Sequence, residues 1–66
     1  MFIEVRQVIV QHPERGLTRC LVNEQATIEG VPHFLVWIAD TVDMDELGDV
    51  IGEHGWVPVD ECSLVH

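Results

Sequence analysis

The sequence predicts an α+β domain, a small antiparallel sheet with one helix packed on one face, in the order β-β-β-α-β. Three observations carry this reading. Three runs rich in β-branched and other apolar residues occupy the first 39 positions, separated by turns that contain Pro or Gly. Residues 43–55 then carry start and stop signals of a helix. The links between runs are short, so successive strands form antiparallel hairpins.

The first run, Phe2 to Gln11, contains Ile3, Val5, Val8, Ile9 and Val10 and reads as a strand with imperfect alternation. His12-Pro13-Glu14-Arg15-Gly16 is a turn, in which Pro presets φ and Gly permits positive φ. Leu17 to Glu29 is a second strand, bent near Asn23-Glu24-Gln25, and Gly30-Val31-Pro32 ends it. His33 to Ala39 is apolar on both faces, Phe34, Val36 and Ile38 on one and Leu35, Trp37 and Ala39 on the other. Two apolar faces mark a central strand, with the Trp37 face only partly covered. Asp43 with Glu46 has capping-box spacing, and Val42 with Leu47 fits a hydrophobic staple. Gly55 suits the position after a helix end, so the spacing predicts a helix over 44–54. Met44, Leu47, Val50, Ile51 and His54 would face the sheet. Trp56-Val57-Pro58-Val59 is a short strand, at an edge because Pro58 has no N–H to donate. Residues 60–66 extend it or fray.

Charge is the most informative total. Twelve Asp and Glu stand against three Arg and no Lys, a net charge of −9 on 66 residues. No Lys or Arg follows Arg19. Nucleic acid and anionic membrane are poor partners for such a chain, because both need cationic residues. On the predicted helix, Asp45, Asp49 and Glu53 form a row on the side away from the sheet, with Glu46 beside them. Like charges at this spacing cost about 0.2–0.5 kcal/mol per pair, and Gly48 and Gly52 each cost about 1 kcal/mol in a helix interior. A row that works against its own helix is either a solvated acidic face or a surface that imitates phosphates for a positively charged partner. Gly48 and Gly52, at GxxxG spacing, are either tolerated on an exposed face or let a partner approach closely.

Short, strongly acidic, Lys-free single domains resemble phage-encoded anti-CRISPR proteins of the DNA-mimic kind. The residues that carry the resemblance are Asp40, Asp43, Asp45, Glu46, Asp49, Glu53, Asp60 and Glu61, centred on Asp45, Asp49 and Glu53. It covers about the last third of the chain, and implies no fold, since those inhibitors share none. The resemblance implies a basic, nucleic-acid-binding partner such as a Cas subunit of a surveillance complex. The acids would occupy its PAM-reading surface and exclude target DNA. A competing reading is a regulatory module that binds through apolar surface, to another protein or as a homodimer, at the strand 56–59 edge or the Trp37 face. A third is a small metal-dependent or acid–base enzyme, which needs carboxylates converging in a concave site.

Other motifs argue for no cofactor, no metal and no enzyme. Asp43-Met44-Asp45-Glu46-Leu47-Gly48 begins like an EF-hand loop, but Leu47 and His54 stand where oxygen ligands belong. His12, His33, His54 and His66 have no zinc spacing with Cys20 or Cys62. No Ser-His-Asp pattern or phosphate-cradling loop is present. Cys20 and Cys62 read as small buried residues, then as a bridged pair, then as a reactive thiol. Trp37 and Trp56 belong to the core or anchor an interface. Met1 to Arg6 shows no signal peptide, and no apolar run nears the ~18 residues of a membrane helix. A single cytoplasmic domain is expected, a monomer in preference to a dimer.

Overall fold

The computed structural model describes residues 6–64; Phe2 to Val5 of the predicted first strand lie outside them. Five antiparallel strands form the main sheet: β1 (Arg6–His12), β2 (Gly16–Ile28), β3 (Val31–Ile38), β6 (His54–Pro58) and β7 (Cys62–Leu64). Their order across the sheet is β6-β3-β2-β1-β7. A second, two-stranded unit, β4 (Asp43–Met44) and β5 (Val50–Ile51), stands between β3 and β6 in the chain. Two single-turn 3-10 segments, Ala39–Thr41 and Val59–Glu61, complete the path.

Several local expectations hold. The turn at Pro13-Glu14-Arg15 joins β1 to β2, with His12 opposite Gly16. The bend expected near Asn23 is a bulge in the β2–β3 register between Val22 and Glu24. Glu29 and Gly30 both take positive φ, 51° and 80°, the geometry of a two-residue type I′ hairpin turn. β3 is central, flanked by β2 and β6, and β6 with Pro58 is an edge. Pro32 sits before β6 begins to pair, so its missing N–H costs no ladder bond on that side.

The long-range constraint is the link from β6 to β7. These strands are the two opposite edges of the sheet, yet three residues join them. In a flat sheet four spacings of about 4.8 Å would separate them by about 19 Å. A three-residue 3-10 turn rises about 6 Å. The sheet must therefore coil until its edges approach, giving a partly open barrel. Its inner face carries the core: Val8, Cys20, Phe34, Val36 and Ile38 are buried, with Val10, Val22, Val57, Val59 and Cys62 packed on them. These residues alternate along their strands with outward ones, as period-two pleating requires.

The predicted α-helix over 44–54 does not form, and the fold is mostly antiparallel sheet with no α-helix among the described residues, not α+β. Gly48 and Gly52 adopt φ of 84° and 156°, neither of which is helical. The Asp43 side chain, expected to cap, accepts the next N–H, from Met44, at 2.8 Å. Val42 and Leu47 make no staple; both are exposed. Gly55 ends no helix; it lies within β6 opposite Val36. Two reasons account for this outcome. Coiling fills the sheet's inner face with its own side chains, closing that face to Met44, Leu47, Val50 and Ile51. The hairpin also takes Glu53 away from the other carboxylates, to Arg15, and removes the glycine cost that a helix would bear.

Gly52 makes the tightest backbone approach. A Cβ there would lie 3.1 Å from the Thr41 carbonyl oxygen and 3.2 Å from Val42 Cα. Gly52→Ala is expected to destabilise by about 2–3 kcal/mol, against about 1 kcal/mol for Gly48→Ala, where a Cβ meets open space. Urea denaturation of the two variants checks the order.

Candidate interaction surface

The β4–β5 hairpin grows from a latch at its base. Ile38 N–H donates to the Glu53 carbonyl at 2.9 Å. The return bond is replaced by Thr41: its hydroxyl donates to the Ile38 carbonyl at 2.8 Å and accepts the Glu53 N–H at 2.9 Å. Both hairpin ends are thus tied to the β3–β6 ladder through one side chain. Asp45 organises the tip. Its Oδ1 accepts N–H bonds from Leu47 at 2.8 Å and from Asp49 at 2.9 Å, and its own N–H donates to the Asp49 carbonyl at 2.9 Å. A short carboxylate that satisfies turn N–H groups is why Asp suits this position.

The register pairs Met44 with Val50 and Asp43 with Ile51. Met44 and Val50 therefore share one face, and Val42 falls on it by alternation. Leu47 sits in the tip and is 87% exposed; Met44 is 64% and Val50 57% exposed. Ile51, on the other face, is also exposed. So many large apolar side chains exposed on one ten-residue excursion make the hairpin a candidate interaction surface.

The predicted acidic residues divide among three places. Asp43, Asp45, Glu46 and Asp49 come together on the hairpin, where all but Asp45 are exposed. Glu53 leaves this group and meets Arg15 at 3.5 Å and His12 at 3.9 Å on the β1–β2 turn. Asp40 is exposed on the first 3-10 turn, and Asp60 and Glu61 are exposed on the second. The helical row Asp45, Asp49, Glu53 does not exist: one carboxylate is engaged in the turn, one is exposed and one faces an arginine. Sequence reasoning assigned Met44, Leu47, Val50 and Ile51 to a buried helix face and so missed them as surface. Gly48 and Gly52, poor in a helix interior, beside β-branched Val50 and Ile51 were the signal for a hairpin.

A second feature lies inside the open barrel. A cavity of about 180 Å³ is walled by Val10, Cys20, Val36, Ile38 and Val57, with His12, Glu53 and His54 also lining it. On the outer face Trp37 stacks on His54 with ring centroids 4.1 Å apart and planes at 22°. His54 Nδ1 lies 3.1 Å from the Gly52 carbonyl; a carbonyl only accepts, so Nδ1 carries the proton of this bond. Trp37 is half-buried and Trp56 exposed.

Both cysteines are free thiols. Burial pushes the Cys20 thiol above its ordinary pKa. The Cys62 thiol is also raised, first by burial and then by the negative charges of a Cys20 thiolate and Glu61. Among the described residues no group of three or more His, Cys, Asp or Glu could hold a metal ion. No helix there is long and apolar enough to cross a membrane. Comparison with protein-family models, with curated proteins and with solved structures gives no match.

Two outcomes are expected. Thr41→Val strands the Ile38 carbonyl and the Glu53 N–H and costs about 1–3 kcal/mol in urea denaturation, whereas Thr41→Ser costs less. Since a raised thiol pKa favours the neutral thiol in the folded state, the stability it contributes is present below the unfolded pKa and lost as pH rises toward the folded one. Alkylation by iodoacetamide at mildly alkaline pH is therefore slower in the folded chain than in urea, and slowest at Cys20, read by mass spectrometry.

Proposed function

We propose that this chain is a non-catalytic cytoplasmic binding module that docks its β4–β5 hairpin onto a basic protein surface. The observation that carries the reading is the hairpin itself: Met44, Leu47 and Val50 stand exposed, with Asp43, Glu46 and Asp49 around them. Apolar contact surrounded by charge is the usual arrangement of an interface, a dehydrated centre with a polar rim. With a net charge of −9 and no cation after Arg19, the complementary partner has a shallow apolar slot rimmed by Lys and Arg. Steering by such fields raises association rates and weakens with salt.

The charge argument also favours a partner that itself handles nucleic acid, because such proteins hold the densest cationic surfaces. Occupying one would exclude nucleic acid by competition, the mode that the acidic inhibitors resembled above imply. Here the anions are offered by a hairpin tip and not by a helix flank. The apolar residues supply the affinity that surface ion pairs of about 0–1 kcal/mol do not.

The test is capture from host lysate at low salt by the tethered chain, compared with two variants. The triple variant Asp43→Lys, Glu46→Lys, Asp49→Lys is expected to slow association with the captured basic protein by about tenfold or more. Leu47→Ser is expected to speed its release. Equal binding by the triple variant, or capture indifferent to rising salt, would overturn the reading.

A further inference from the structure

The barrel has an open seam, and its chemistry differs from that of the hairpin. Along β1, β7 pairs with Val8, Ile9 and Val10, so among the described residues the outer edge of β1 at Gln11 and His12 has no strand beside it. Facing this stretch is β6, which among the described residues has a strand, β3, on one side only. Between them lies a cleft of about 300 Å³, lined among others by Gln11, His12, Trp56, Val57 and Glu61. Val10, His12 and Val57 line both this cleft and the interior cavity of about 180 Å³, so the two adjoin.

Backbone polarity along β6 follows from one bond. Ile38 N–H donates to the Glu53 carbonyl, and in an antiparallel pair the bonding residues alternate. Gly55 and Val57 therefore bond toward β3, while the N–H and C=O groups of His54 and Trp56 point into the seam. Pro58 ends this edge, since it has no N–H. A strand with one unpaired side is a template for another chain.

We propose that this seam binds an extended segment of a partner protein, added as a strand along β6 and flanked by Lys or Arg. Pleating would send alternate side chains of the segment inward and outward. The inward one enters the apolar cavity, whose volume suits a valine or leucine; an engineered cavity of about 150 Å³ takes up benzene. The outward ones pass Trp56, which is 42% exposed at the rim. The flanking cations meet Glu61, which lines the cleft and has no ion-pair partner among the described residues. Among the described residues no Arg lines the cleft or the cavity, and Arg15 is already engaged by Glu53, so the seam is left acidic. Main-chain bonds give such binding its affinity and the inward pocket its selectivity. A second copy of this chain fits less well, because both copies carry the same strong negative charge.

The test uses the ¹⁵N-labelled full chain and two synthetic hexapeptides of alternating valine and threonine, one with lysine at both ends and one with glutamate. The lysine peptide is expected to shift the amides of Gln11, His12, Trp56, Val57 and Glu61 and to protect the Trp56 amide from exchange. It is expected to bind about fivefold or more tightly than the glutamate peptide, a preference that Glu61→Lys reverses while leaving the spectrum dispersed. Replacing the inward valine of the peptide by aspartate is expected to abolish the shifts. No shifts at these amides at millimolar peptide, or equal binding of both peptides, would overturn the proposal. So would shifts confined to Asp43–Ile51, which assign the peptide to the hairpin, or concentration-dependent seam shifts without peptide, which assign the seam to a second copy.

Discussion

The turn at Val59–Glu61 is the constraint on which the rest of this structure depends. It connects the two outermost strands of a five-stranded sheet with a link too short to cross a flat one. Coiling follows from length alone, and coiling decides what is buried. The inner face closes on Val8, Cys20, Phe34, Val36 and Ile38, and no helix is needed to cover it. A chain of this size buries only about 60% of its unfolded surface, so a sheet that serves as its own second layer is an economical solution. The incomplete closure leaves a cavity and a seam, while the residues excluded from the barrel are left to the hairpin.

The hairpin shows how tertiary context selects among local signals. An Asp followed three residues later by Glu, with flanking apolar residues, reads as a helix start. The same Asp-rich segment is also good turn material, because short carboxylates accept N–H bonds from residues just ahead of them. Asp45 does this twice. With the inner face of the sheet filled by its own side chains, the helix would have had no place there to bury Met44, Leu47, Val50 and Ile51. The hairpin exposes them too, but it relaxes Gly48 and Gly52 and separates Glu53 from Asp49, placing it beside Arg15. Exposure of those side chains is then the unresolved cost of the fold.

Much of the sheet was legible in the residues. His33 to Ile38 is apolar on both faces and lies between two neighbours, Ala39 having passed into the 3-10 turn; Pro58 marks an edge strand; the turn at Pro13 and the irregularity near Asn23 lie where expected. What could not be read was non-local. Cys62–Leu64 is a three-residue strand with no pattern of its own, and its pairing with Val8–Val10 is decided by closure. Of the acidic residues singled out, Asp43, Asp45, Glu46 and Asp49 do gather, whereas Glu53, Asp40, Asp60 and Glu61 lie on other elements. Composition shows that the surface is acidic; only register shows which acids share a place.

Barrel closure is tested most directly by cross-strand NOEs in a ¹⁵N,¹³C-labelled sample. The account predicts contacts between Val10 and Cys62 and between Val8 and Leu64, alongside those joining Leu35 to Trp56 across β3 and β6. A sample that shows the β3–β6 contacts while Cys62–Leu64 has none to β1 would describe an open sheet, and would contradict the core, the cavity and the seam together.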